Sequence, residues 1–174
     1  MPNHLSILGI IHTAISIIAL LTAFYALYRE GKINPVSGTG KLYIVLTIIT
    51  CATGLPIMKT GHPTGGHYLA VMILVLLPIA IYAKQLRIFG KLADYVQVVI
   101  MSATLFFSMI PAVIETLTRL PISHPLADGP NAPIAQTGLL SLVVLFLAGV
   151  IYQIIKLKAR RKSAQTPDST VKFS

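Results

Sequence analysis

Five apolar stretches, at residues 5–28, 42–58, 68–83, 95–114 and 138–155, contain neither Lys nor Arg. A helix crossing the hydrocarbon core of a bilayer needs about 20 predominantly apolar residues, with a range of roughly 17 to 25. The first and fourth stretches meet that length outright, and the second and fifth are adequate. The third reaches it only by including His67 and Lys84, whose long stem lets the ammonium snorkel to the interface. Spans at about 5–28, 42–59, 67–84, 95–117 and 138–156 follow, joined by short loops that Gly and Pro punctuate. The expected fold is all-α: an integral membrane bundle of five transmembrane helices, forming one domain over 1–157.

Composition agrees. Of 174 residues, 55% are apolar and 11% charged, against roughly a quarter charged in an average soluble domain. An aqueous core of this size would leave much of that apolar surface exposed. The net charge of +9 would suit a nucleic-acid partner, but the positions of the cations point elsewhere. With five spans, Arg29, Lys32, Lys41, Lys84, Arg87, Lys91, Lys156, Lys158, Arg160, Arg161, Lys162 and Lys172 fall on one side, while Lys59 and Arg119 fall on the other. Twelve against two is the asymmetry that orients membrane proteins, so the N-terminus is expected outside and the C-terminus in the cytoplasm. Nucleic acid is not an expected partner.

The first apolar run is longer than a signal-peptide core and no basic residue precedes it, so it reads as an uncleaved anchor. Residues 158–174 read as a basic, disordered cytoplasmic tail, whose cations suit an anionic lipid leaflet. The lone Cys51 excludes an internal disulfide framework and a CxxC motif.

Helices in lipid pack through small and polar side chains. Residues 9–26 carry Gly9, His12, Thr13, Ser16, Ala19, Ala23 and Ala26 at helical spacing; the second span carries Thr47, Thr50, Cys51 and Gly54; the fourth carries Met101, Thr104, Ser108, Pro111 and Glu115. Spans one, two and four are therefore expected at the centre, with the Leu-, Ile- and Val-rich spans three and five outside. Pro78 and Pro111 interrupt spans three and four, where each frees a carbonyl of the preceding turn.

His4, His12, His62, His67 and His124 all map to the outer half. Four of them suit loops or a helix end, but His12 lies about 10 Å below the outer end of its span at 1.5 Å per residue. An ionisable residue at that depth is a candidate site. Glu115 is the acid nearest a span interior, and Arg119 follows at i+4 as an ordinary helical ion partner. A polar cluster of His12, Thr13, Ser16, Thr50, Ser108 and Glu115 is the leading candidate site, provided that spans one and four are neighbours.

No P-loop, dinucleotide fingerprint, HExxH or nucleophile–base signature is present, so an enzyme is not indicated. No cofactor is required by this reading. The main alternative is a redox protein holding haem b, with His12 as one axial ligand and His67 as the other. A second alternative is a small proton-coupled transporter in which His12 and Glu115 titrate. A metal site from His62, His67 and His124 would require their loops to converge.

Residues 12–55 open on His12 with a small-residue face, continue through Arg29, Glu30, Gly31 and Lys32, reach Gly40, Lys41, Leu42 and Tyr43, and enter an apolar run with Thr50, Cys51, Ala52 and Thr53. This third of the chain resembles the bacterial multi-span family known as domain of unknown function 2306. The resemblance matches His12 to the family's intramembrane histidine, and Gly40, Lys41 and Tyr43 to its loop motif. Residues 34–39 lack the histidine commonly found in that loop. The resemblance implies the bacterial cytoplasmic (inner) membrane and adds no biochemical activity. The sequence accommodates a chain working alone, as a homo-oligomer or as a subunit of a membrane complex.

Overall fold

The computed structural model describes residues 6–57 and 61–165; His4, Lys59 and Lys172 lie outside them. Among the described residues the fold is all-helical, with α1 Ile7–Glu30, α2 Gly38–Gly54, α3 Gly65–Tyr82, α4 Ala93–Arg119 and α5 Pro133–Gln165, and a 3-10 segment, Arg87–Leu92, before α4. Four helices are long and apolar enough to cross a membrane, and the apolar α2 is shorter at 17 residues. At 1.5 Å per residue α2 spans about 25 Å. This architecture is compatible with a small integral membrane protein in a lipid bilayer.

Local chemistry sets the helix ends. The Ser6 hydroxyl accepts the Gly9 N–H at 3.1 Å, and Gly31 closes α1 in the left-handed region at φ 71, donating its N–H to Leu27 O. Ser37 caps α2 by accepting the Gly40 N–H at 3.2 Å. That cap starts α2 four residues before the apolar run, and the helix stops at Gly54, two residues before Pro56, so the helix covers 38–54 where a span at 42–59 is expected. α3 likewise starts at Gly65 and stops at Tyr82, leaving Lys84 beyond it. α5 begins at Pro133, whose fixed φ and missing N–H suit a first turn.

The tail departs most from expectation. α5 is helical to Gln165, well past 157. Lys, Arg, Ala and Gln are good helix formers, and Pro does not recur until Pro167. Arg161 also ties this turn to the N-terminus of α4, through an ion pair with Asp94 and a bond to Lys91 O at 2.9 Å. Its guanidinium lies 4.7 Å from the Tyr95 ring centre. The rest of the tail, 166–174, lies outside the described residues.

Consecutive helices run antiparallel, and α1, α2, α3 and α4 close a ring. α2 packs against α1 and α3, α4 packs against α3 and touches α1, and α5 lies outside on α4. The fifth span is peripheral, as its composition suggests, whereas the third belongs to the core. Ile73, Leu77 and Ala80 of α3 are buried with Ala23, Ala26, Tyr43, Ile44, Cys51, Met101 and Leu105. Aliphatic side chains serve protein and lipid neighbours equally well, so richness in Leu and Ile does not mark a lipid-facing helix.

Polar pairs lock the helices to one another. Tyr43 Oη and Thr104 Oγ1 are hydrogen-bonded at 3.0 Å between α2 and α4, Gln97 Nε2 donates to Ala80 O at 2.9 Å between α4 and α3, and Ser102 Oγ donates to Gln153 Oε1 at 2.9 Å between α4 and α5. All five side chains involved are buried.

Gly40 shows how closely α2 approaches the preceding loop. A Cβ there would stand 1.8 Å from the Asn34 carbonyl oxygen, whereas one at Gly38 would meet nothing within 4 Å. Gly40→Ala is expected to destabilise the protein by about 2–3 kcal/mol, and Gly38→Ala to leave it unchanged or slightly more stable. Thermal unfolding of both variants in detergent checks the contrast; equal midpoints would contradict the observed approach.

Candidate functional site

His12 stands two turns into α1 at the end of the bundle where α2 terminates. Its Nδ1 lies 3.0 Å from Thr50 O and 3.2 Å from Thr53 Oγ1. A carbonyl oxygen only accepts, so Nδ1 carries the proton and donates it. The Thr53 hydroxyl sends its own proton back along α2, to Ile49 O at 2.8 Å. In the neutral ring the lone pair is then on Nε2, which has no hydrogen bond among the described residues. The last turn of α2 suits this bond, because the negative end of the helix dipole favours a donor.

Gly54 makes room for the ring. A Cβ at that position would be 3.0 Å from His12 Cε1 and 3.4 Å from Nδ1. Thr53 and Gly54 therefore belong to the site although the expected cluster omitted them. The carbonyl that anchors His12 has no sequence signature; the available signal was their place beside Thr50 at the end of an apolar run.

The other expected members are placed differently. Thr13 Oγ1 donates to Gly9 O at 2.8 Å, Ser16 Oγ to His12 O at 2.7 Å and Ser108 Oγ to Thr104 O at 2.8 Å. Each of these bonds runs back one turn in its own helix, the usual satisfaction of an intrahelical hydroxyl. Thr13 is exposed, and no hydrogen bond links any of these side chains to the His12 ring. Thr50 meets His12 through its carbonyl, while its Oγ1 is buried without a partner, as is Thr47 Oγ1 one turn along. With Tyr43 these hydroxyls form a stripe on α2 leading from His12 into the ring.

Glu115 is on α4 at the same end and pairs with Arg119. α1 and α4 touch, as a shared site requires. Among the described residues no hydrogen bond links Glu115 to His12.

His67 lies in the first turn of α3 and is buried. Its Nδ1 accepts the Thr64 backbone N–H at 3.0 Å, so the proton is on Nε2, which is buried without a partner. α2 stands between α1 and α3, whose backbones do not approach each other. As a haem ligand His12 is in the suitable form, with Nδ1–H on a carbonyl and Nε2 free. His67 would first have to give up its bond from Thr64. Among the described residues no three His, Cys, Asp or Glu side chains gather in a way that would hold a metal ion.

Chemically, the His12 arrangement presents a neutral imidazole whose Nε2 can take a proton or accept a hydrogen bond. No family model, curated protein or solved structure matches the chain.

Gly54→Val is expected to push the His12 ring off Thr50 and to cost about 1–2 kcal/mol in lost interhelical bonding. Nitrogen NMR of the labelled imidazole checks this. The wild type should show a single Nδ1–H tautomer at neutral pH and the variant a mixture; an unchanged spectrum would remove Gly54 from the site.

Proposed function

We propose that the chain is a small, non-enzymatic multi-pass protein of the bacterial cytoplasmic membrane, oriented with its N-terminus outside. Its working site is the polar pocket around His12 at the outer end. The observation that carries this reading is the His12 Nδ1–H held by Thr50 O and Thr53 Oγ1 over Gly54. That bond orients the ring and keeps Nε2 as an acceptor, so the site takes up a proton or a small hydrogen-bond donor from the outer side. Glu115, on α4 at the same end, is the acid of the proposed site and pairs with Arg119. Membership of the family resembled by residues 12–55 is part of the proposal, as is attraction of the basic turn 156–162 to anionic lipid.

The carbonyl-bound form of His12 also favours a second reading, haem b with His12 as one axial ligand. An absorption spectrum of the purified protein, before and after dithionite, separates the two. A Soret band lost in His12→Ala supports haem, and a flat visible spectrum after expression with ample haem removes it.

For the leading reading, the His12 imidazole is titrated by NMR in bilayers. Reversible protonation driven from the outer side, with a midpoint that changes in Glu115→Gln, is the expected result. A ring that never titrates, or one unaffected by Glu115→Gln, would sink the shared site. A C-terminal alkaline phosphatase fusion should be inactive, and an active fusion would reverse the orientation.

A further inference from the structure

The end of the bundle opposite His12 gathers cations. α1 and α5 both lean on α4 without close approach of their own backbones, and a cleft of about 20 Å³ lies between them. Glu30, Gly31 and Lys32 line one side of it, and Gln153, Lys156 and Arg160 the other. Such a volume holds about one water-sized atom group, so a phosphoryl oxygen can enter while the rest of its group sits at the mouth.

The charges around the cleft do not balance. Among the described residues Asp94 is already shared between Lys84, at 2.8 Å, and Arg161. Among the described residues Lys32, Lys156 and Arg160 have no ion pair of their own. Glu30, the carboxylate in the wall, accepts the Thr39 hydroxyl at 2.9 Å. Among the described residues Lys156 Nζ donates to the Tyr152 hydroxyl, at 3.3 Å, and lies over that ring. Burial, and then the like charges of Lys84 and Arg160, hold the Lys32 ammonium below the ordinary lysine value, although Asp94 and Glu30 act in the opposite direction.

Gln153 supplies a directional donor. It is 8% exposed, and Ser102 Oγ occupies its Oε1 at 2.9 Å. Its amide nitrogen has no acceptor among the described residues. Gly31 keeps the opposite wall low, since a Cβ there would stand 3.0 Å from Lys156 Nζ.

We propose that this cleft seats the phosphate group of an anionic ligand, a phospholipid headgroup or a free phosphate, with Lys32, Lys156 and Arg160 around it and the Gln153 amide donating from the floor. The proposal rests on the membrane reading above. A chain that stays soluble without detergent would defeat that reading, whereas failure of the seat would appear as inserted protein with no lipid preference.

The test is native mass spectrometry of the full chain in detergent with phosphatidylglycerol or phosphatidylcholine, alongside thermal unfolding in inorganic phosphate. Wild type should retain phosphatidylglycerol over phosphatidylcholine. Retention should fall about fivefold for each cation removed in the series Lys32→Gln, Lys156→Gln and Arg160→Gln. The double variant Lys41→Gln and Arg87→Gln, which removes charge away from both the cleft and the basic turn of α5, should retain as much as wild type. Stabilisation by inorganic phosphate in lipid-free protein, lost in the same series, identifies the free anion as the occupant; its absence beside strong phosphatidylglycerol retention identifies the headgroup. Equal retention of both lipids with no effect of phosphate overturns the proposal, as does an equal loss in the control variant. If Lys32→Gln or Arg160→Gln aggregates, the charge-preserving Lys32→Arg and Arg160→Lys take its place. Their retention should stay within about twofold of wild type, and its abolition would overturn a seat held by charge.

Discussion

The bond between Tyr43 and Thr104 crosses the centre of the helix ring, and the arrangement around it follows from what a polar group costs away from water. The Tyr43 side chain is fully buried and its hydroxyl has to find a partner there. Thr104 provides one on α4, and Thr104 in turn donates to Met101 O at 2.8 Å. This fixes the rotation of α2 and α4 relative to each other although their backbones do not come close. With α2 so turned, Thr47, Thr50 and Gly54 face inward, and the last of them gives the His12 ring its place. Apolar contacts alone would leave that rotation weakly defined, because lipid and protein offer an aliphatic side chain nearly the same environment.

Three further polar contacts extend the logic along the bundle. Gln97 fastens α4 to the end of α3, Ser102 fastens it to α5, and His12 fastens α1 to α2. α4 takes part in most of the cross-links, which explains why it carries more buried polar side chains than its neighbours: Gln97, Ser102 and Thr104. The histidine differs from the rest in that its open atom, Nε2, is basic, whereas the open amide nitrogen of Gln153 can only donate. A packing device and a site with spare bonding capacity are thus distinguishable within one architecture.

Much of the architecture was legible in the apolar runs, since each maps onto one helix. The helix ends were less so, because they depend on single residues: Ser37 extends α2 backwards, Gly54 and Pro56 shorten it, and the helix-forming residues 158–165 carry α5 onward. The central place of α3 was hidden because Ile73 and Leu77 would suit lipid equally well. At the candidate site, His12 stood out as an ionisable residue at depth. Its anchor did not, because Thr50 contributes a backbone carbonyl, which every residue possesses. Ser16 and Ser108 misled for a related reason: a hydroxyl on a helix has a ready acceptor one turn back, so its presence on a polar face does not imply a partner elsewhere.

α5 is close to the rest of the backbone only through α4. Four helices close a ring without it, so the fifth is an appended arm whose loosening need not open the core. Its 33 residues, about 50 Å of helix, exceed the thickness of a bilayer's hydrocarbon core of about 30 Å. The arm thus carries its basic turn clear of the apolar zone as a rigid strut, and small tilts at the Ser102–Gln153 junction become larger displacements of Arg160 and Arg161 at its tip. Motion of the strut relative to the ring would therefore register first as a change in how positive charge is spread over the membrane surface.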